Sequence, residues 1–159
     1  MITELFVYGT LKRGECRESM WPRKPTRIRE AFVRARLYDL GAYPAIRVDA
    51  LSVDDDATVD DDLDWVAGEV WSFEPDAIDE TIAALDEIEE TNQPRTINLY
   101  DHVLVRVYDH PGSSSHDGGN GSTLALAYQY SDDRRLSHLR RLRPASGASF
   151  VGWSASRDR

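Results

Sequence analysis

Glu89 is the residue whose placement most invites a chemical reading. Ile78, Ile82 and Leu85 are spaced four and three apart. At about 100° per residue they fall within roughly 60° of arc, one apolar stripe on a helix. The next step of four reaches Glu89, whose direction lies about 20° from that of Ile78. Asp86, Glu87 and Glu90 point elsewhere. The pattern therefore aims one carboxylate at the core in the last helical turn. Burial without a partner disfavours the charged form and raises a carboxyl's pKa. A carboxyl that titrates near neutrality suits general acid/base work. The same spacing also fits a residue at a frayed helix end, turned to solvent or paired with Arg95 or Arg106.

The second chemical feature is Val7-Tyr8-Gly9-Thr10-Leu11 followed by Gly14. A strand that stops at a glycine and continues as a glycine-spaced loop can turn several backbone N–H groups toward one point, an anion nest for a carboxylate or oxyanion. An ordinary turn would have the same residues. The segment is neither a P-loop, lacking Lys-Ser/Thr, nor G-x-G-x-x-G.

Other chemistries find little support. His110 and His116 lie in a Ser/Gly/Asp loop, His138 lies among arginines, and His102 shares a strand face with Tyr100, Leu104, Arg106 and Tyr108. No H-x-x-x-H pair suggests zinc, and no G-x-S-x-G turn suggests a serine nucleophile. Cys16 is the only cysteine, which excludes an internal disulfide framework and a cysteine-based zinc finger. The acidic runs Asp54-Asp55-Asp56 and Asp60-Asp61-Asp62 lack the alternating acids, glycine and terminal Glu of an EF-hand and read as solvated loops. Arg134 to Arg143 is basic but carries no aromatic stacking pattern; it reads as a segment folded over the chain's own acidic surface.

These groups need elements to hold them. Ile2 to Tyr8 reads as a strand. Arg17 to Arg29, with Pro22 and Pro25, reads mostly as loop with room for one helical turn. Ala31, Val33, Ala35 and Leu37 alternate with Phe32, Arg34, Arg36 and Tyr38, the period of a half-buried strand. Gly41-Ala42-Tyr43-Pro44 is turn chemistry before a short strand Ala45 to Val48. Trp65 to Phe73 and Leu99 to Tyr108 read as strands, the latter with Val103, Val105 and Val107 on one face. Thr123 to Tyr130 returns as another strand after a mobile hairpin connection spanning 109–122. Glu74-Pro75-Asp76 starts the helix, with acids at its positive end, and the helix runs to about Glu90 before Asn92-Gln93-Pro94. Arg134 to Arg143 fits a short basic helix, and residues after Ala145 read as weakly ordered apart from docking by Phe150 and Trp153. About six strands and one good helix without βαβ rhythm predict an α+β fold whose sheet curls toward a barrel.

The chain has 159 residues, 41% of them hydrophobic, which suits one domain able to bury a core without metal or disulfide staples. The expected division is a domain over 1–132 and a basic C-terminal extension over 133–159, packed on it or trailing from it. A net charge of −9 argues against a general nucleic-acid binder. The charge is unevenly placed: 17 acids and no Lys or Arg lie between Asp49 and Glu90. The longest apolar runs, such as Leu5 to Tyr8, fall far short of a membrane span, and the N-terminus has no secretory leader pattern. A soluble cytoplasmic protein is expected, with neither membrane nor nucleic acid as partner.

Taken in order, several segments resemble the γ-glutamyl cyclotransferase-like family, which includes γ-glutamylamine cyclotransferases and AIG2-like proteins. Leu5-Phe6-Val7-Tyr8-Gly9-Thr10-Leu11-Lys12-Arg13-Gly14 is close to F-V-Y-G-T-L-x-x-G. Gly41-Ala42-Tyr43-Pro44-Ala45 is similar to the family's glycine and Tyr-Pro segment, and Gly68-Glu69-Val70-Trp71-Ser72-Phe73 to G-E-V-Y-x-V. Leu85-Asp86-Glu87-Ile88-Glu89 resembles L-D-x-x-E, Tyr100 opens the strand of a Y-x-R motif, and Ala127-Tyr128 resembles a late V-Y pair. The resemblance spans about residues 5 to 130. It departs at two positions: Glu90 replaces the usual glycine, and His102 replaces the usual arginine.

The resemblance implies a small mixed-strand closed β-barrel with flanking helices. It implies Glu89 as the acid/base residue, and the loop Tyr8, Gly9, Thr10 and Leu11 as the binding site for a γ-glutamyl group, with Tyr43 and Tyr128 lining the pocket. The implied reaction turns a γ-glutamyl amine or amide into 5-oxoproline and a free amine. The nucleophile belongs to the substrate, so no cofactor or metal is required. Glu90 and His102 motivate an alternative, a non-catalytic module that binds small anions on the same scaffold.

Overall fold

The computed structural model describes residues 2–48, 62–91, 94, 98–112 and 122–155. The acidic runs up to Asp61, the Asn92-Gln93 helix stop, Arg95 and His116 lie outside the described residues.

In chain order the elements are β1 (Glu4–Val7), a 3-10 turn (Glu18–Met20), β2 (Arg27–Asp39), β3 (Pro44–Arg47), β4 (Asp64–Ser72), α1 (Ile78–Ile88), β5 (Tyr100–Tyr108), β6 (Ser122–Tyr130), α2 (Asp133–Leu136) and β7 (Arg140–Leu142). Neighbours run β2-β4-β1-β6-β5, and β5 returns to β2 through Phe32 and Tyr108. The circuit closes a five-stranded barrel. The β1–β6 pairing is parallel and the others are antiparallel, so the barrel is mixed. β3 and β7 extend the far end of β2.

The alternation of β2 explains the barrel. Ala31, Val33, Ala35 and Leu37 are almost wholly buried. They cluster with Phe6 of β1, Val66 and Val70 of β4, Val105 and Val107 of β5, and Ala125 and Ala127 of β6. A cluster fed by all five strands is the lumen, and its small side chains leave room for the Phe6 ring. Gly68 serves the same ring: a Cβ there would stand 2.5 Å from Phe6 Cζ and from the Val7 carbonyl oxygen. Leu5 and Val7, one step out of phase, join a second cluster with Trp71, Phe73, Ile78, Leu85, Tyr100, Tyr128 and Tyr130. This second core glues α1 to the outside of the barrel and lies where the barrel ends meet the Tyr8–Leu11 loop.

Several boundaries differ from the sequence expectation. β2 begins at Arg27, four residues early, because the ladder to β4 continues to Arg27↔Ser72. The helix starts at Ile78; Glu74 to Ala77 form a turn closed by the Ala77 N–H on the Glu74 carbonyl. Arg134 to Arg143 is not one helix. α2 ends at Leu136, and β7 pairs with β2, with Arg141 opposite Tyr38. Arg141 and Arg143 bind the Asp62 carboxylate at 2.9 and 3.0 Å, and Arg36 binds it at 3.0 Å. These three guanidinium groups hold the Asp62 carboxyl well below the usual carboxylate range. The segment after Ala145 is also more engaged than expected. Val151 forms a parallel bridge with Val66, and Trp153 is buried in the lumen cluster. Phe150 stays exposed, edge-on to Phe32.

Candidate active site

The cavity is built from the loop after β1, the turn before β3, the C-terminus of α1 and the ends of β5 and β6. Tyr8, Gly9, Thr10, Leu11, Tyr43, Glu89 and Tyr128 all line it, together with Phe6, Val7, Arg17, Pro44 and Tyr100. Its empty volume is about 400 Å³ when the open space at its mouth is included.

Glu89 is the C-cap of α1. Its N–H donates to the Leu85 carbonyl at 2.8 Å, so the last turn remains wound and carries the side chain on the apolar stripe. The carboxyl is only partly accessible and makes no hydrogen bond or ion pair among the described residues. Burial pushes its pKa up to about 7, against a smaller opposing pull from the Arg17 guanidinium. Glu90 plays no part in this rise. It is exposed, and its backbone lies in the left-handed region at φ 52°. That conformation explains why a glycine is favoured there: it lets the chain leave the helix while the Thr91 N–H caps the Asp86 carbonyl at 2.8 Å.

The Tyr8–Leu11 loop is fixed from several sides. Gly9 abuts Pro44, and a Cβ on it would sit 2.7 Å from Pro44 Cγ. The Lys12 N–H closes a turn on the Gly9 carbonyl at 3.1 Å, and the Arg17 N–H reaches the Thr10 carbonyl at 2.8 Å. Trp21 Nε1 donates to the Leu11 carbonyl while its ring stacks on Trp71 at 4.3 Å. The buried Glu69 carboxylate accepts from the Arg13 backbone N–H and Nε, both at 2.8 Å. Lys12 Nζ donates to the Trp153 carbonyl at 2.6 Å. The carbonyls of the loop are thus engaged, whereas no hydrogen bond among the described residues uses the N–H groups of Gly9, Thr10 or Leu11. Thr10 and Leu11 are nonetheless buried. Buried amides without partners are rare, and here they belong to residues that line a cavity.

The tyrosines are scaffolding with defined hydroxyls. Tyr8 Oη donates to the Tyr128 carbonyl at 2.6 Å and accepts from the Ile46 N–H at 3.2 Å, linking β6 to β3. Tyr100 Oη donates to the Pro44 carbonyl at 2.8 Å. Tyr128 Oη donates to Asp86 Oδ1 at 2.6 Å. Burial pushes the pKa of all three phenols far above the ordinary value, and the Glu89 charge adds to the rise in each. They remain neutral, so Glu89 is the group of this cavity suited to exchanging a proton near neutrality.

Sequence reasoning assigned no place in the cavity wall to four contributors, His102, Asp86, Tyr100 and Arg17. His102, paired across the sheet with Tyr128, contacts Asp86 through Nε2 and stands edge-on to the Tyr128 ring at 5.0 Å. Asp86 points away from the helix's apolar stripe, yet it lies between His102 and Tyr128 and fixes the cavity wall. The departure at His102 from the expected arginine was the available signal. Tyr100 stands out in the sequence only as the opening of the Y-x-R motif, with no role in the pocket, and Arg17 has no signal because it lies in a stretch without periodicity.

Residues 5–148 match the family described as γ-glutamyl cyclotransferase, AIG2-like. No curated protein matches the sequence closely enough to count as a relative. Among solved structures, an AIG2-like protein from Mus musculus superposes with a TM-score of 0.52 at 15% identity, covering 99% of both chains. A γ-glutamyl cyclotransferase specific to glutathione from yeast gives 0.52 at 15% identity, over 80% of this chain and 68% of that one. YkqA from Bacillus subtilis gives 0.51 at 20% identity over 82% of this chain, which spans only 36% of YkqA. Identities this low speak to the fold alone. With the family match running over most of its length, the chain belongs to the γ-glutamyl cyclotransferase, AIG2-like family.

Proposed function

We propose that the protein is an enzyme that cyclises a γ-glutamyl amine or amide to 5-oxoproline and releases the free amine. The observation that carries this reading is the Glu89 carboxyl, without a partner among the described residues and pushed up to about 7, in the same cavity as three loop amides that no described residue engages. A group of that pKa is ionised in useful fraction at neutral pH and can hold the proton it accepts.

The substrate's α-amine is protonated in water and cannot attack. Glu89, as the carboxylate, takes one proton from it. The freed nitrogen lone pair then adds to the γ-carbonyl carbon, closing a five-membered ring and placing negative charge on the carbonyl oxygen. Glu89 returns the proton to the leaving nitrogen, the C–N bond to that nitrogen breaks, and the carbonyl reforms; the second proton of the ring nitrogen passes by way of the Glu89 carboxylate to the departing amine, which leaves as its ammonium ion beside the lactam of 5-oxoproline. No water is consumed. The amides of Gly9, Thr10 and Leu11 supply donors for the substrate carboxylate or the developing oxyanion. The aromatic walls hold the glutamyl chain folded, so that attack is intramolecular. The cavity residues can perform every one of these steps without a cofactor.

The test is release of 5-oxoproline from a panel of γ-glutamyl compounds by the wild-type protein and by Glu89→Gln. Turnover by the wild type and its loss in Glu89→Gln support the reading. Binding of 5-oxoproline near the loop with no turnover of any compound favours the small-anion module instead.

A further inference from the structure

We propose that Arg17 forms a subsite for a carboxylate carried by the leaving group, so that the preferred substrate is a γ-glutamyl amino acid or peptide and not a γ-glutamyl derivative of a neutral amine. This inference rests on the cyclotransferase reading of the cavity.

Arg17 and Glu89 are the two charged residues lining a cavity otherwise walled by aromatic, aliphatic and backbone groups. Arg17 is half-buried, and its main chain is tied to the loop by the bond to the Thr10 carbonyl. The other assigned cations around this loop are engaged. Lys12 holds the Trp153 carbonyl, Arg13 holds Glu69, and Arg23 holds Glu80 at 2.9 Å. The nearby acids are also engaged: Glu18 accepts from the Gly14 N–H and Glu15 from the Ala155 N–H. The Arg17 guanidinium alone has no hydrogen bond or ion pair among the described residues. It feels Glu89 through space, yet the two form no salt bridge. A partly desolvated guanidinium fixed by its backbone and left without an anion is suited to bidentate recognition of a carboxylate.

The depth of the cavity decides which carboxylate. Tyr8, Thr10, Leu11, Tyr100 and Tyr128 are buried, whereas Arg17 and Tyr43 are half-exposed. The glutamyl carbons that must fold back on themselves beside Glu89 fill the buried end, with their own carboxylate on the loop amides. Whatever is attached to the leaving nitrogen then extends toward the open side, where Arg17 stands.

Two ligands that cannot cyclise separate the possibilities, because they lack the α-amine: glutaryl-alanine, which keeps the leaving-group carboxylate, and glutaryl-ethylamide, which does not. Calorimetric binding of both is measured with the wild type, Arg17→Gln and Arg17→Lys. The ratio of affinities, glutaryl-alanine over glutaryl-ethylamide, is expected to fall about tenfold or more in Arg17→Gln, the loss of one charge-assisted hydrogen bond, and to be partly restored in Arg17→Lys. An unchanged ratio overturns the proposal, whether both ligands weaken together, which assigns Arg17 to the glutamyl end, or neither does. Release of 5-oxoproline from γ-glutamyl-alanine and γ-glutamyl-ethylamide is followed in parallel. If the wild type cyclises neither compound, the cyclotransferase reading falls, while the binding ratio still decides the subsite.

Discussion

Replacing Glu89 by Gln removes a titrating proton with little change in volume, and the structure fixes what that does to stability at each pH. In the unfolded chain the carboxyl titrates at its ordinary value of 4.5; in the folded chain burial holds it near 7. Below about pH 4.5 it is neutral in both states and contributes no pH dependence. As pH rises from there, the unfolded chain gives up the proton first, so folding loses stability until the folded carboxyl has also ionised, just above pH 7. At about 1.4 kcal/mol per pH unit the full loss is roughly 3 kcal/mol; partial access of the carboxyl to water brings the expected value to about 2 to 3 kcal/mol. Glu89→Gln lacks this term. Urea denaturation at a series of pH values should therefore show the variant gaining on the wild type by about that amount between pH 4.5 and 8, with turnover down by a factor of roughly 10² to 10⁴. A stability difference that stays flat across this window would refute the claim that the carboxyl sits in a poorly solvated site, whatever the activity does.

Three further outcomes follow from named contacts. Glu90→Gly relieves a non-glycine residue at φ 52° and should raise stability by about 1 kcal/mol, read as a shift in urea midpoint at unchanged slope. Gly9→Ala places a Cβ 2.7 Å from the Pro44 ring; it should displace the loop and depress 5-oxoproline binding by tenfold or more, seen by calorimetry. Glu69→Ala removes the acceptor shared by the Arg13 N–H, Arg13 Nε and Trp71 Nε1; it should cost about 1 to 3 kcal/mol and raise KM more than it lowers kcat, because it loosens the loop and leaves Glu89 in place.

The parts of this molecule governed by period and turn chemistry were readable in advance. The two-residue rhythm of Ala31 to Tyr38 identifies the lumen face of β2, and the three-four spacing of Ile78, Ile82 and Leu85 carries Glu89 into the cavity wall. The closed, mixed topology came from the ordered motifs, since periodicity alone cannot say that β5 returns to β2. What escaped was set by distant partners. Arg134 to Arg143 has helical composition, yet Asp62 and the free edge of β2 draw its second half into a strand. Arg17 has no pattern of its own and enters the cavity only because the loop turns back on the Thr10 carbonyl. Asp86 faces away from the stripe and is recruited by residues of β5 and β6 far along the chain.

The bond from Lys12 Nζ to the Trp153 carbonyl spans 141 positions of sequence, and Val151 lies against Val66 in the same terminal stretch. During synthesis the strand β1 and its loop leave the ribosome 141 positions ahead of this brace. A nascent chain halted before Trp153 can form strand pairings yet lacks this tether on its glycine loop. The glycine loop therefore gains this brace only after the strands that lie between the two residues have emerged.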